Sequence, residues 1–169
     1  MSSKDDIPGE EVNLLYDKLL REARSSGYYL NSDVQFAKEL VNSLILNNKR
    51  YGYFACPCRL ASGSKEDDLD IICPCDYRDM DISEFGACYC ALYISQSAYK
   101  GESAVASIPE RRPLPEERKK GKAGSHAGIN TLSQAVWRCR VCGYLCAREG
   151  PPDICPICKA KKERFERFM

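Results

Sequence analysis

Six cysteines of this chain fall in three Cys-x-Cys pairs within one short stretch: Cys56-Pro57-Cys58, Cys73-Pro74-Cys75 and Cys88-Tyr89-Cys90. Four thiolates are a full ligand set for an iron–sulfur cluster or a zinc ion. Two sulfurs are then left over, and a spare pair beside an electron-transfer site points to a redox-active disulfide. A second group follows, Cys139-x-x-Cys142, twelve residues, then Cys155-x-x-Cys158. Two Cys-x-x-Cys knuckles at this spacing signal a tetrahedral metal site. The segment that carries them, about 35 residues, is too short to build an adequate core, so the metal would serve as its staple.

The rest of the composition narrows the class. Eleven cysteines in 169 residues is many, and the odd number argues against complete disulfide pairing. The opening MSSKDDIPGE has no apolar signal core, and no apolar run approaches the ~18 residues of a membrane span. The expectation is a cytoplasmic protein, where crowded cysteines mean metal or redox chemistry. Charge divides along the chain. Residues 1–110 carry 11 Lys and Arg against 18 Asp and Glu, whereas residues 111–169 carry 14 against 6. Two units with different partners, or two separately solvated surfaces, fit that division. The basic residues Arg111, Arg112, Arg118, Lys119, Lys120 and Lys122 have no aromatic interleaving, which argues against nucleic acid.

Elements must deliver these sulfurs. An amphipathic helix is expected over 10–26, with Val12, Leu15, Tyr16, Leu19, Leu20 and Ala23 on one face and Gly27 as its stop. A second is expected over 33–46, opened by a Ser32/Gln35 capping box and burying Val34, Ala37, Leu40, Val41, Leu44 and Ile45. The two would pack over the cysteine stretch. Residues 51–55 read as a short strand or approach loop, 65–71 as a short helix, 76–81 as a turn, 82–85 as a helical turn and 88–94 as a strand. On a strand, Cys88 and Cys90 would share a face. Prolines 109, 113 and 115 and a Gly/Ser/Ala run make 101–134 a linker. The division is therefore 1–100, a linker over 101–134, and 135–169. His126 and Cys146 fit neither cysteine group, and read as a linker residue and a spare thiol.

The stretch with the three Cys-x-Cys pairs, over roughly residues 8–100, resembles the catalytic subunit of ferredoxin–thioredoxin reductase. That resemblance implies a small, mainly helical domain wrapped around a 4Fe–4S cluster. It assigns Cys56, Cys73, Cys75 and Cys88 to the cluster, and Cys58 and Cys90 to the active disulfide. It also implies ferredoxin as donor, with each of two electrons arriving singly. The first opens Cys58–Cys90, leaving Cys90 held at the cluster and Cys58 free to attack a substrate disulfide; the second frees Cys90 to resolve the mixed disulfide. Cys58 is then expected to be the more exposed sulfur. Thioredoxin-like proteins are the expected substrates, with other disulfides open. The basic stretch 111–122 would help recruit ferredoxin. Plant members have His where this chain has Tyr89, and different intervals between pairs. Tyr89, a weak catalytic candidate, is a poor proton shuttle at its ordinary pKa near ~10, and would donate a hydrogen bond or pack.

The C-terminal segment resembles the short rubredoxin at the end of rubrerythrins, through Trp137 to Tyr144, Cys155 to Ala160 and Glu163-Arg164-Phe165. It implies a small knuckle and β domain in which Cys139, Cys142, Cys155 and Cys158 bind one iron that relays electrons; a zinc ribbon is the alternative. The whole chain then reads as a ferredoxin-dependent disulfide reductase with an attached iron site. An electron carrier with an inert cysteine pair, and a zinc protein acting as an interaction module, are the competing readings.

Overall fold

The computed structural model describes residues 7–121 and 134–168, without the side chains of residues 119–121. The chain divides into two compact units, Met1–Ile108 and Pro109–Met169. His126, Lys122 and the side chains of Lys119 and Lys120 lie outside the described parts. Among the described residues no helix is long and apolar enough to cross a membrane.

The first unit is helical. Helix α1, Gly9–Ser25, buries Val12, Tyr16 and Ala23. Its first turn carries Glu10 and Glu11, where the helix dipole favours negative charge. Helix α2, Val34–Tyr51, packs against it and buries Ala37, Val41, Leu44 and Ile45. Two details differ from expectation. Val34 is exposed, because it stands in the first turn of the helix before the buried stripe begins. The cap is Asp33, not Ser32: its Oδ1 accepts from Phe36 N–H at 3.0 Å, while Asn31 Oδ1 accepts from Asp33 N–H. The helix also runs five residues beyond the expected end and stops where Gly52 takes a left-handed φ of 81°. That conformation costs glycine nothing and turns the chain into the first cysteine pair.

Between helices α1 and α2, strand β1, Tyr29–Leu30, pairs antiparallel with β2, Tyr93–Ile94. Residues 51–55 form no strand. Tyr51 closes α2, and Ala55 makes a single bridge to Ile72. The helix expected over 65–71 reduces to a 3-10 turn at Leu69–Ile71. The reason is Asp68. Its carboxylate is fully buried and accepts from Tyr53 Oη at 2.7 Å, Ser62 N–H at 2.6 Å and Gly63 N–H at 3.2 Å. Satisfying that buried charge fixes the loop and leaves no register for a longer helix. Burial and the Asp68 carboxylate push the Tyr53 phenol well above its usual range, so it remains a donor. Helix α3, Arg78–Phe85, takes in part of the expected turn at 76–81 and all of the helical turn at 82–85. The expected strand over 88–94 is realised only at Tyr93–Ile94. Short helix α4, Gln96–Tyr99, follows, capped by Ser95 Oγ.

The second unit begins with helix α5, Pro115–Gly121, inside the stretch read as linker. Proline suits a first helical position, where its missing N–H is not needed. A three-stranded antiparallel sheet then runs in the order β4-β3-β5: β3 is Val136–Cys139, β4 Leu145–Ala147 and β5 Phe165–Arg167. Register places Trp137 opposite Cys146 and Arg167, and Cys139 opposite Phe165. The architecture is the expected one: a mainly helical unit, then a small antiparallel sheet with a four-cysteine knuckle.

Replacing Asp68 with Ala removes the acceptor of three donors, one of them the buried Tyr53 hydroxyl. The expected cost is about 3 kcal/mol, against about 1 kcal/mol for Tyr53→Phe, which removes a single bond. Urea unfolding followed by far-UV circular dichroism checks both; equal costs would mean that the loop does not depend on this carboxylate.

Candidate functional site

Backbone bonds tie the first two cysteine pairs together and shape the turn of the third. Cys56 N–H donates to Ile71 O, and Cys73 N–H to Phe54 O, both at 2.8 Å. These two bonds tie the first pair to the second across the Asp68 loop. The third pair sits on a tight turn rather than a strand. Cys88 N–H donates to Tyr93 O at 2.8 Å, Tyr93 N–H donates to Cys88 Sγ at 3.3 Å, and Ala91 takes a left-handed φ of 56°. Asn31 braces that turn through its N–H to Leu92 O and its Nδ2 to Ala91 O, each 2.9 Å. Cys88 and Cys90 are thus brought together by a bend, their sulfurs 3.6 Å apart.

Two sets emerge among the six sulfurs. Cys73 and Cys75 are pushed up first by burial and then by the charges of neighbouring cysteines: Cys56, Cys75 and Cys88 act on Cys73, and Cys56 and Cys88 on Cys75. Cys75 reaches about 12, although Arg59 works against the shift. Two buried thiols raised in this way resist ionising together unless positive charge is brought beside them. Cys90 is the hub of the second set. It is buried, within hydrogen-bond reach of Cys56, Cys58 and Cys88, and those contacts push its thiol up. Its effect on Cys88 is the reverse: the bond from Cys90 lowers Cys88 against burial, aided by the N–H groups of Tyr93, Leu92 and Cys90. Cys58 is exposed. Contact with Cys90 lowers its thiol to about 7, opposed by partial burial and helped by Arg59.

Two arginines next to these sulfurs had no part in the sequence reading. Arg59, directly after Cys58, is buried; its Nη1 donates to Cys75 Sγ at 3.3 Å and its Nη2 to Asp81 Oδ2 at 3.4 Å. Its Cζ lies over the rings of Tyr77 at 4.6 Å and Tyr89 at 4.5 Å. Arg78, the first residue of α3, is also buried. Its Nε donates to Asp79 Oδ1 at 2.8 Å, and its Cζ lies 3.7 Å over the Tyr28 ring. Burial opposes the Arg78 charge, but Asp79 and the neighbouring tyrosines hold it above its ordinary value. Its charge in turn favours the Cys73 thiolate, and its Nη2 is buried without a hydrogen-bond partner among the described residues. Buried guanidinium groups beside crowded thiolates, one of them with an N–H still to donate, fit an anionic iron–sulfur group. The available signal was position: an Arg directly after one pair and three residues after another. Arginine is ordinarily read as solvent-facing, which hid it.

In the second unit Cys139, Cys142, Cys155 and Cys158 place all four sulfurs within 4.8 Å of one another. The two knuckles are built alike. Gly143 N–H donates to Cys139 O and Cys139 N–H to Tyr144 O; Lys159 N–H donates to Cys155 O and Cys155 N–H to Ala160 O. Gly143 has φ 76° and Lys159 φ 61°, so the second turn holds a lysine where the first uses glycine. Cys158, then burial, set against backbone donors, divide the quartet: Cys139 is lowered to about 5 chiefly by contact with Cys158, while that same contact pushes Cys158 up. A closed sulfur tetrad of this size suits one tetrahedral ion. Cys146 stands on β4 across from Trp137 and is not part of the tetrad.

Comparison with known families agrees with this geometry. The model of the ferredoxin thioredoxin reductase catalytic beta chain matches residues 8–110. The rubrerythrin rubredoxin-like domain matches residues 137–166. Iron–sulfur and metal binding, and a redox role, follow from these matches and the cysteine sites. The first match spans more than half the sequence, and the chain belongs to the family of the ferredoxin thioredoxin reductase catalytic beta chain, carrying in addition a rubredoxin-like domain.

Proposed function

We propose that this protein is a disulfide reductase in which Cys58 and Cys90 form the redox-active pair and Cys56, Cys73, Cys75 and Cys88 hold a 4Fe–4S cluster. One observation carries the reading: exposed Cys58 lies within reach of buried Cys90, which also touches Cys56 and Cys88. The redox pair and the ligand set thus meet at a single sulfur. When bound, the cluster supplies one-electron storage beside a bond whose cleavage needs two electrons.

Cys58 is suited to attack. It is exposed, and its neighbour Leu60 offers apolar surface beside it. The Cys58 thiolate attacks one sulfur of the substrate disulfide, forming a mixed disulfide and releasing the other substrate sulfur as a thiolate. The Cys90 thiolate then attacks Cys58 Sγ, closing Cys58–Cys90 and releasing the second substrate thiolate. The substrate has gained two electrons and takes up two protons. Two single electrons from a ferredoxin return Cys58 and Cys90 to the reduced state. Thioredoxin-like proteins are the proposed substrates, in a reducing, cytoplasmic setting. The proposed division is a reductase domain over 1–100 and a rubredoxin-like domain over 135–169. There Cys139, Cys142, Cys155 and Cys158 hold one iron that relays electrons singly, with zinc as the alternative occupant.

Anaerobically purified protein is expected to contain about five irons and four sulfides per chain. About four irons with one zinc would reduce the second unit to a structural knuckle, and zinc alone would overturn the redox reading.

Cys58→Ser is expected to lower disulfide reduction on the order of 10³-fold while iron and sulfide stay at the wild-type level. Cys90→Ser is expected to accumulate a mixed disulfide at Cys58, visible by intact-mass measurement. Intact electron transfer in Cys58→Ser, with no disulfide reduced by the wild type either, would leave the electron-carrier reading in its place.

Cys155→Ser is expected to remove one metal ion per chain and unfold the β3–β5 sheet, because its core is built on the tetrad. Loss of the sheet's amide protection, with the first unit's spectrum unchanged, is the readout.

A further inference from the structure

We propose that Tyr89 works through its ring rather than its hydroxyl: with Tyr77 it cradles the Arg59 guanidinium and holds it against the Cys75 sulfur. This rests on the reading of Cys75 as a cluster ligand.

Several contacts converge on Arg59. Two ring centroids lie within 4.6 Å of its Cζ, Cys75 Sγ accepts from Nη1, and Asp81 Oδ2 accepts from Nη2. One wall of the cradle is fixed from behind, since Tyr77 Oη donates to Asp70 Oδ2 at 2.7 Å. The other wall is Tyr89, placed between Cys88 and Cys90 by the turn that carries them. Arg59 itself is joined through the backbone to Cys58. One cation therefore touches a proposed ligand sulfur, follows the attacking cysteine in the chain, and is held by the residue between the last two cysteines.

The physics gives this arrangement a consequence. A planar guanidinium is held over aromatic faces by the ring quadrupole, most strongly where water is excluded. It then directs a charge-assisted N–H at the sulfur. An N–H donated to a ligand sulfur stabilises the electron-richer state of the group that the sulfur binds, which raises its reduction potential. Lysine offers no planar face, and its three donors share one nitrogen, so it cannot reproduce the fork that reaches Cys75 from Nη1 and Asp81 from Nη2. Tyr89 is thus a positioning residue, acting through Arg59, and a ring is all that its position needs.

The test compares Tyr89→Phe, Tyr89→Leu and Arg59→Lys in the full chain, each first assayed for iron and sulfide. The readouts are the cluster midpoint potential by redox titration, the cluster EPR spectrum, and the urea midpoint. Tyr89→Phe is expected to match the wild type in all three and in turnover. Tyr89→Leu is expected to shift the midpoint potential negative, alter the EPR spectrum and unfold at lower urea. Arg59→Lys is expected to shift the potential in the same direction and further. If Arg59→Lys fails to fold, the half-buried Tyr89 pair carries the decision. A Tyr89→Phe variant that loses turnover at unchanged potential would overturn the proposal in favour of a hydroxyl that moves a proton. Unchanged potentials in Tyr89→Leu, with cluster content intact, would overturn the cradle and leave the reductase reading standing. Wild-type protein without cluster iron would overturn both.

Discussion

Sulfurs packed this closely in a dry interior oppose one another's charge. Burial and the neighbouring cysteines raise Cys73 and Cys75, and Cys90 is raised by its three sulfur neighbours. A protein can hold such a group either by keeping it protonated or by supplying positive charge. The first unit supplies charge: Arg59 donates to Cys75, and Arg78 acts on Cys73. Those cations are themselves costly to bury, so each is paired with an aspartate and set over tyrosine rings. Asp81 and Asp79 come from α3, which explains why an eight-residue helix with little apolar surface stands where it does. Its task is electrostatic more than hydrophobic.

The two cysteine sites solve this problem at different scales. In the second unit the sulfurs close to within 4.8 Å, and Cys139 is lowered chiefly by Cys158, with backbone N–H groups of its knuckle adding to it. In the first unit the sulfurs come from three separate turns, and buried side-chain cations lie beside them. A tight tetrad can rely on its own local backbone, whereas a site assembled from distant turns needs charges brought from elsewhere in the fold.

Sequence reading found what local pattern encodes. The faces of α1 and α2 follow from 3.6-residue periodicity, and the two cysteine sets follow from spacing. It failed where a long-range polar contact overrides local preference. Asp68 looked like a helix residue and instead turns inward to Tyr53, Ser62 and Gly63. Residues 88–92 looked like a strand, and bend because their backbone bonds close on Tyr93 and Asn31. Arg59 and Arg78 drew no notice, since nothing within a few residues announces the aspartates and rings that bury them. Lys159 at φ 61° had no signal of its own; only its equivalence to Gly143 in the other knuckle reveals the turn.

The brace at Asn31 sets the boundary of the working unit. This residue lies between the first two helices, sixty positions from the carbonyl its side chain holds. The stretch with all six cysteines is contiguous and looks portable, yet its last turn is shaped by a residue outside it. Transplanting residues 56–90 onto another scaffold would carry every sulfur and lose the geometry of the third pair. The helical portion before the cysteines is therefore part of the apparatus and not its packaging, and the smallest transferable piece of this chemistry begins upstream of α2.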